Sequence, residues 1–490
     1  MKKGNCCYLL LFILSISCFQ FQLQAQTLVS STYKGQRSKA QLISQLGVPF
    51  IQYGAKYYKI TYRSVDAQGM PDTLSGLLVV PDQADKTFPR LVYQHGTSSC
   101  KTCVPSRYGS AGGGEGEIGL LFAGMGYISL LPDYVGMGDG RGFHPYVHAE
   151  TEARAAIDFL AAHQDWNSQQ VPKSNDQLFI TGYSQGGHAG MALHRELEAT
   201  TNPVGTVTAA AHLSGPYSIS GIMRQQILSD SVYYYPAYIP NTALSYQTVY
   251  GNLYTELTDL FKPEYANLIQ QFYAGSIDLV QLNQNLIQTL TTLTGASVPR
   301  RMFQDAAVAA IESDPLHPVN AALADNDVYK WAPASPTRIF YCMADDQVPF
   351  MNSVVARDSM LARGATNLAA SDLDPTADHG GCVAPALTQT IIFFAGFQQI
   401  TSSTSEQLDV LQAVALQPNP ASDQCMLYPI TSGSTIRLMD LQGRLINEYQ
   451  GVEGDTFTLS VADLRTGCYF VQVVSASGGV VVKKLMVGTP

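Results

Sequence analysis

The middle of the chain alternates short apolar runs with stretches of helical length, and this alternation limits the possible folds more than any other feature. The helix-like stretches include 149–163 and 187–198, and the apolar runs occupy residues 91–93, 127–131, 178–180, 209–213 and 338–342. Continuous apolar strands separated by helices form a mostly parallel sheet covered on both faces. Because active sites in such sheets lie at the carboxyl ends of the strands, we expect catalytic residues there.

Composition excludes other classes of protein. Of the 490 residues, 46% are hydrophobic and 14% are charged, which predicts a large core rather than a disordered chain. The net charge of −10 argues against a nucleic-acid partner, because phosphates attract basic surfaces.

Residues 1–25 have the pattern of a signal peptide. Lys2 and Lys3 precede an apolar run over 8–19, and Ala25 supplies the small residue of a cleavage site. The alternative, a membrane anchor, needs about 20 apolar residues. We therefore expect an exported protein with no stable membrane span.

A candidate nucleophile follows the apolar run 178–180. Ser184 lies in Gly182-Tyr-Ser184-Gln-Gly186, directly before a helix-like stretch. A sharp strand-to-helix turn strains the serine backbone, so small residues are needed on both sides, and Gly182 and Gly186 meet that need. The pentad alone is weak evidence, and its position between a buried strand and a helix makes it specific.

The candidate base and acid lie later in the chain. Serine needs a base to take its proton, and the base needs an acid to orient it, in the order serine, acid, histidine on this type of sheet. His379 is the only histidine beyond the candidate acids Asp345 and Asp346, which follow the run 338–342. The alternative is that His379 is an ordinary histidine of a surface loop and not a catalytic base.

Charge stabilisation requires two N–H donors aimed at the oxyanion. Gln185, directly after the candidate nucleophile, supplies one of them. We expect Thr97 to supply the other, from a loop in which His95 and Gly96 follow the run 91–93 and the glycine permits close approach of the backbone. The alternative for His95 and Gly96 is a simple turn.

Several motifs together resemble the α/β-hydrolases, and within them the secreted lipases and esterases with a helical cap. The motifs are Tyr-Gln-His95-Gly96-Thr97, Pro132-Asp133-Tyr134-x-Gly136-x-Gly138-Asp139, His144-Pro-Tyr146, Gly-Tyr-Ser184-Gln-Gly-Gly, Ala-Asp345-Asp-Gln-Val-Pro and His379-Gly-Gly-Cys. The resemblance implies a catalytic domain over 27–400 with Ser184 as nucleophile, Asp345 as acid and His379 as base. It implies that His144 and His148 hold a loop or a helix start, and that no metal or other cofactor is needed.

Residues 215–331 lack strand-like runs and are expected to form the cap. Leucines at 279, 282, 286, 290 and 293 define one helical face, and tyrosines cluster at 233–235 and 238. Such a cap could build an apolar channel, which predicts a lipase-like preference for medium to long acyl chains. The alternative is a fixed structural subdomain over a shallow pocket, which would favour acetyl and butyryl esters.

The tail reads as a separate unit. A linker is expected over 401–412, and short β-rich runs with glycine turns over 413–490 predict a small antiparallel sandwich. Pro-Asn-Pro, Asp-x-x-Gly-Arg, Leu-x-x-Gly-x-Tyr and the terminal Lys-Lys-Leu-x-Val resemble the sorting domain of type IX secretion substrates. This resemblance implies the type IX secretion machinery as a partner. A carbohydrate-binding module is the alternative.

Six cysteines remain after the predicted signal peptide, an even number that favours disulfides in an exported protein. Cys342 and Cys382 would lie close together if the acid and the base meet. Cys100 with Cys103 and Cys425 with Cys468 are the remaining candidate pairs. For Cys100 and Cys103, a pair of free, buried thiols is the alternative. A zinc site at these two cysteines is disfavoured because the sequence has no second cysteine pair with the required spacing.

Taken together, the sequence predicts a serine carboxylic-ester hydrolase, a lipase or esterase, that acts on an ester or lipid substrate. It is expected to be secreted or cell-surface, exported through the periplasm and outer membrane. A serine peptidase similar to prolyl oligopeptidase on the same fold and a non-catalytic surface binder remain alternatives.

Overall fold

The computed structural model describes residues 27–109, 114–200, 202–402, 414–440, 444–475 and 480–488. The predicted signal peptide, almost all of the predicted linker and the centre of the Asp-x-x-Gly-Arg motif lie outside these residues.

A sheet of ten strands organises the described chain up to Ser402. Its strands are β1 (Leu28–Arg37), β2 (Ala55–Val65), β3 (Pro71–Pro81), β4 (Lys86–Gln94), β5 (Ile128–Pro132), β6 (Lys173–Tyr183), β7 (Val207–Leu213), β8 (Thr337–Tyr341), β9 (Leu368–Asp372) and β10 (Thr401–Ser402). The order is β1-β2-β3-β5-β4-β6-β7-β8-β9, with β10 paired to the start of β4. Neighbouring strands from β5 to β9 are parallel, whereas β1, β2 and β3 form an antiparallel edge. The predicted mostly parallel sheet is confirmed.

The helices are listed here in chain order before their packing is described. They are α1 (Lys39–Leu46), α2 (Gly116–Gly124), α3 (Ala149–Gln169), α4 (Gln185–Ala199), α5 (Arg224–Leu228), α6 (Tyr238–Tyr250), α7 (Leu257–Leu260), α8 (Pro263–Tyr273), α9 (Leu279–Thr294), α10 (Asp305–Ser313), α11 (Pro318–Asp325), α12 (Met351–Ala362) and α13 (Val383–Ala395). Short 3₁₀ or π turns occupy Pro105–Arg107, Ile219–Met223 and Pro299–Met302.

Helices cover both faces of the parallel strands because successive strand residues point to opposite faces. On β6, Ile180 joins a core built with α3, α4 and α12, whereas its neighbour Phe179 joins a second core built with α2 and α13. Both side chains are fully buried. The unbroken apolar runs of the sequence are therefore strands packed on two sides.

The chain between β7 and β8 is helical and has an apolar core of its own. In α9, Leu279, Leu282, Leu286 and Leu290 are buried, whereas Leu293, in the last turn, is 57% exposed. Asp278 caps this helix by accepting the Gln281 N–H at 2.8 Å, and Gly295 ends it in a left-handed conformation. The predicted leucine face is correct except at Leu293.

The described residues after 413 form two antiparallel sheets. β11 (Ala415–Gln417), β12 (Gln424–Tyr428) and β15 (Phe457–Ser460) make one sheet in the order β11-β12-β15. The other has the order β14-β13-β16-β17, from β13 (Ser434–Met439), β14 (Leu445–Val452), β16 (Gly467–Val474) and β17 (Val480–Val487). Side chains of both sheets share one core, as in a sandwich.

The predicted disulfide between Cys425 and Cys468 is wrong, since both cysteines are free. Cys425 lies on β12 and is buried in the shared core, whereas Cys468 lies on β16, in the other sheet, and is partly exposed. Val471 and Val473 of β16 face the core. Cys468 is an odd number of positions from both, so its side chain faces away from Cys425.

Acid should destabilise the fold through His163 of α3, which is 1% exposed, with neither ring nitrogen hydrogen-bonded to a described residue. Burial, with nearby Arg90, lowers the pKa of His163 to about 3, against about 6.5 in an unfolded chain. The unfolded chain therefore takes up a proton first, and stability falls as the pH falls from about 6.5 towards 3, by at most ~1.4 kcal/mol per pH unit for this residue. The free energy of unfolding, measured with urea at pH 7, 5 and 4, should fall less steeply with pH for His163→Leu than for wild type. Equal dependence on pH in the two proteins would contradict this prediction.

Candidate active site

Ser184 occupies the turn between β6 and α4. Its backbone has φ 61° and ψ −121°, a conformation that non-glycine residues rarely adopt. A Cβ on Gly182 would collide with the Gly186 carbonyl oxygen, and a Cβ on Gly186 would collide with that of Gln94. Both predicted glycines are thus needed to let the turn pack against the end of β4.

The ends of three parallel strands lie level beside this turn. Tyr183 of β6 pairs with Leu213 of β7, and Leu213 pairs with Phe340 of β8. The loop after β8 therefore starts near the turn that carries Ser184. The Tyr183 ring lies 5.0 Å from the His379 ring, and its hydroxyl donates to the His379 carbonyl oxygen.

His379 and Asp345 are in direct contact. His379 Nδ1 lies 2.7 Å from Asp345 Oδ2, and these side chains are only 8% and 1% exposed. The other oxygen of Asp345 accepts the N–H groups of Gln347 at 3.0 Å and Val348 at 2.8 Å. The carboxylate is thereby fixed in position, and the Nε2 atom of His379 remains for another partner.

Asp346, the second candidate acid, has a different contact. Its Oδ1 accepts the backbone N–H of His379 at 3.2 Å. It therefore holds the loop that carries the histidine, whereas Asp345 holds the imidazole ring. Sequence order alone could not separate these adjacent carboxylates.

A disulfide joins the loops that carry the acid and the histidine. Cys342 and Cys382 are bonded, with their Cα atoms 5.9 Å apart. The Cys100–Cys103 disulfide is also present. Both of these predicted pairs are confirmed.

The loop after β4 is held by buried polar contacts. The Gly96 N–H donates to Glu115 Oε1 at 3.0 Å, and a Cβ on Gly96 would come within 2.8 Å of that oxygen. His95 is buried, its ring packs on Tyr134, and the Tyr134 hydroxyl donates to the His95 carbonyl oxygen at 2.8 Å. The next residue, Thr97, has its hydroxyl 3.0 Å from that of Tyr146.

Gln185, the first residue of α4, is almost fully buried. Its backbone N–H lies at the first position of the helix, where no acceptor within the helix is available. Its side-chain Nε2 lies 2.8 Å from both His144 Nε2 and Glu152 Oε1. The other oxygen of Glu152 lies 2.8 Å from His188 Nδ1.

Sequence reasoning missed Glu152 and His188. The signal was present, because Glu152 occupies the apolar face of α3, where Ala149, Ala153 and Ala156 are buried. The structure places His148 at the N-cap of the same helix, and His144 Nδ1 on the Val135 carbonyl oxygen at 2.8 Å. Both histidines thus hold local structure, as the resemblance implied.

Two cavities of different character adjoin the turn. Ser184 lines a small apolar pocket of about 50 Å³ together with Ile219, Ile239 and Tyr238. Gln185 and His144 line a larger cavity of about 610 Å³, bordered by the 98–102 loop and by the end of α8 and start of α9. Tyr146 lines both.

The apolar pocket continues towards a second one inside the cap. That pocket has a volume of about 70 Å³. Four side chains line both pockets: Ile227, Ile239, Thr242 and Leu323.

Within the described residues, no cluster of three or more His, Cys, Asp or Glu side chains could hold a metal ion. The same residues contain no helix with the length and hydropathy to cross a bilayer.

Two family models match parts of the chain. Residues 415–488 match a secretion system C-terminal sorting domain, and residues 118–198 match the prolyl oligopeptidase family. The second match runs from α2 to α4 and includes the turn at Ser184. No curated protein matches the chain.

Solved structures of esterases and lipases share the fold of the larger region. The rice cell wall degrading esterase LipA from Xanthomonas oryzae is 25% identical, with a TM-score of 0.66 over 76% of this chain and 98% of that one. A putative hydrolase from Legionella pneumophila is 24% identical, with a TM-score of 0.68 over 76% and 98%. Candida antarctica lipase A is 14% identical, with a TM-score of 0.53 over 72% and 77%. The chain therefore joins an α/β-hydrolase fold to a C-terminal sorting domain of a secretion system.

Proposed function

We propose that the protein is an exported serine hydrolase that cleaves carboxylic esters through an acyl-enzyme on Ser184. The observation that carries the proposal is the 2.7 Å hydrogen bond between His379 and Asp345, with the His379 ring 5.0 Å from the ring of Tyr183, the residue before Ser184. A serine held at a strained turn, with an oriented histidine beside it, has the parts that acyl transfer needs. The esterase and lipase structures of the same fold favour an ester substrate.

The reaction starts when His379 Nε2 takes the proton of the Ser184 hydroxyl. Asp345 keeps Nδ1 protonated and stabilises the imidazolium that forms. Ser184 Oγ attacks the ester carbonyl carbon, and the N–H groups of Gln185 and Thr97 donate to the oxyanion. The intermediate then collapses, His379 returns the proton to the leaving alcohol, and the acyl group stays on Ser184. Water activated by His379 releases the acid.

The two cavities suit the two halves of an ester. The apolar pocket beside Ser184 takes the acyl group, and the larger cavity beside Gln185 takes the alcohol. The acyl pocket is smaller than the long channel expected from the sequence, so we propose that short acyl chains are preferred. A larger alcohol part that carries polar groups fits a cavity bordered by Lys101, Asn241 and Asp278.

A serine peptidase is the second candidate, because residues 118–198 match the prolyl oligopeptidase family. That match covers the nucleophile turn but not the loops that carry Asp345 and His379. A non-catalytic surface binder is disfavoured by the contact between those two residues.

The proposal for localisation rests on the C-terminal domain. A sorting domain over 415–488 supports passage through the periplasm and across the outer membrane by type IX secretion. The protein is then secreted or held at the cell surface. The domain limits of 27–400, with a cap over about 215–331, and of 413–490 remain part of this proposal.

Replacing the nucleophile should abolish turnover. Ser184→Ala removes the attacking oxygen, so nitrophenyl ester hydrolysis and labelling by a fluorophosphonate should both be lost while the circular dichroism spectrum is unchanged. His379→Ala should lower kcat by about 10³-fold or more, as for other triads. The wild type should hydrolyse nitrophenyl esters far faster than amino-acyl amides, and the reverse would favour the peptidase.

The adjacent aspartates provide a matched pair of variants for the acid. Asp345→Asn changes the group that orients the imidazole, whereas Asp346→Asn alters only a contact to the backbone N–H of His379. We expect the first to lower kcat much more than the second. The opposite order would move the acid role to Asp346.

Acyl-chain preference should depend on the wall between the two apolar pockets. Wild type should hydrolyse acetyl and butyryl esters fastest, and Ile239→Ala, which opens the wall, should favour longer chains by up to about fourfold per added methylene, from ~0.8 kcal/mol each. A series of nitrophenyl esters from acetate to palmitate measures this. Leu290→Ala, in the cap core away from both pockets, should only destabilise. If wild type prefers octanoate or longer chains, the short-chain proposal is wrong.

Loss of the Cys342–Cys382 disulfide should impair both stability and activity. The bridge spans 40 residues, and removing it by a double change to alanine should cost ~4 kcal/mol in the chain-entropy model. Because it joins the loops of Asp345 and His379, kcat should also fall, on the order of tenfold, since small misplacements of reacting groups are costly. Thermal unfolding and ester kinetics measure the two effects.

The second disulfide supplies the control for stability. Cys100 and Cys103 are three residues apart, so their double replacement should cost only about 1.6 kcal/mol in the same model. Equal falls of the thermal midpoint in the two double variants would contradict this difference, and an unchanged kcat without Cys342–Cys382 would contradict its bracing role.

A further inference from the structure

A buried chain of polar side chains lies behind the turn at Ser184. It runs from His144 through the Gln185 side chain and Glu152 to His188, whose Nε2 lies 2.9 Å from the Asn326 carbonyl oxygen. The side chains of Glu152 and His188 have no solvent exposure. Buried polar groups are expensive unless every one of them is paired, so a chain of this kind holds its members in one arrangement.

The acceptors at its two ends fix where the protons lie. The Val135 carbonyl oxygen can only accept, so His144 Nδ1 carries a hydrogen and its Nε2 accepts from the Gln185 amide. The Asn326 carbonyl oxygen likewise requires a hydrogen on His188 Nε2. The hydrogen bond between His188 Nδ1 and Glu152 Oε2 requires one further proton. The Gln185 amide donates to the other oxygen, Glu152 Oε1.

This chain passes through Gln185, the residue whose backbone N–H is proposed to face the oxyanion. Gln185 has both amide hydrogens engaged, one by α3 through Glu152 and one by the loop through His144. Its side chain therefore cannot rotate without breaking two hydrogen bonds of 2.8 Å.

We infer that Glu152, paired with His188, is a positioning residue that orients the Gln185 N–H towards the oxyanion. This inference rests on the proposed function. It adds to Ser184, Asp345 and His379 a further residue that contributes to the proposed reaction. An N–H donor aimed at the oxyanion contributes mainly in the transition state, so its misalignment lowers kcat more than it changes KM.

Three variants test this. Glu152→Leu leaves Gln185 and His188 without their partner and should lower kcat for nitrophenyl butyrate at least tenfold, with KM within about threefold. Glu152→Gln can accept from Gln185 and donate to a neutral His188, so it should keep kcat within about threefold. Gln185→Ala removes the anchored side chain and should lower kcat as Glu152→Leu does.

The chain offers a matched control at the other end of α4. His194 and Glu198 form a second pair, 2.9 Å apart, in which His194 is buried and Glu198 is 14% exposed, and Glu198 also accepts the backbone N–H of Ala334, before the start of β8. Glu198→Leu should lower the thermal midpoint and leave kcat unchanged. If Glu152 had only a structural role, Glu152→Leu would likewise lower the thermal midpoint and leave kcat unchanged.

A double-mutant cycle gives the decisive readout. If Glu152 acts through Gln185, then Glu152→Leu should cause no further loss of kcat in the Gln185→Ala background. An additive loss, or a loss of thermal midpoint alone, would overturn the inference, as would a kcat for Glu152→Gln as low as that of Glu152→Leu. If Glu152→Leu does not fold, the kcat values of the other two variants still decide. The inference requires a kcat within about threefold of wild type for Glu152→Gln and a lowered kcat for Gln185→Ala. Wild-type turnover by Ser184→Ala would instead refute the proposed function.

Discussion

The strained turn at Ser184 is the constraint on which the site depends. A backbone with positive φ at a non-glycine residue costs about 1–3 kcal/mol and persists only where the surroundings enforce it. The Ser184 N–H donates to the Leu213 carbonyl oxygen at 3.0 Å, and Gly186 packs directly on the backbone of Gln94. Strands β4, β6 and β7 therefore meet around one peptide. The same register brings the end of β8, and with it Asp345, to this edge of the sheet.

Hydrogen-bonded carboxylates hold the loops around that turn. Glu115 accepts the Gly96 N–H, and Asp133 accepts the Ser75 hydroxyl at 2.6 Å and the Ser106 N–H at 2.9 Å. Complete burial raises the pKa of Asp133, while its hydrogen bonds oppose that shift. Glu152 holds the start of α4 in a similar way, because it accepts a hydrogen bond from the Gln185 side chain. Each carboxylate gains its stabilisation from directed hydrogen bonds, so each fixes a backbone position that apolar packing alone would leave adjustable.

The cap is tied to the residues around the site by hydrogen bonds, such as those of Tyr233 and Tyr238 to Gln347. It has an apolar core of its own, and a second cluster packs its residues Ile219 and Tyr246 against Tyr146 and Val147. The Leu279 N–H at the start of α9 donates to the Ser99 carbonyl oxygen at 3.1 Å, which ties the cap to the loop after β4. Ile239 and Leu323 of the cap limit the apolar pocket beside Ser184. The size of this apolar pocket therefore depends on how α6 and α11 pack, and not on the cap's overall length or composition.

The sequence by itself determined the features that are local in the chain. The alternation of apolar runs and helices specified the parallel sheet, and the glycines around Ser184 specified the turn, because both depend on residues within a few positions of each other. The tertiary structure decided the rest, because it depends on residues brought together from distant segments. It separated Asp345 from Asp346 by which one reaches the imidazole ring, and it left Cys425 and Cys468 apart because strand register pointed Cys468 away from the shared core. It also brought Glu152 and His188, from two different helices, together beneath Gln185, because a buried carboxylate must find its partners in three dimensions.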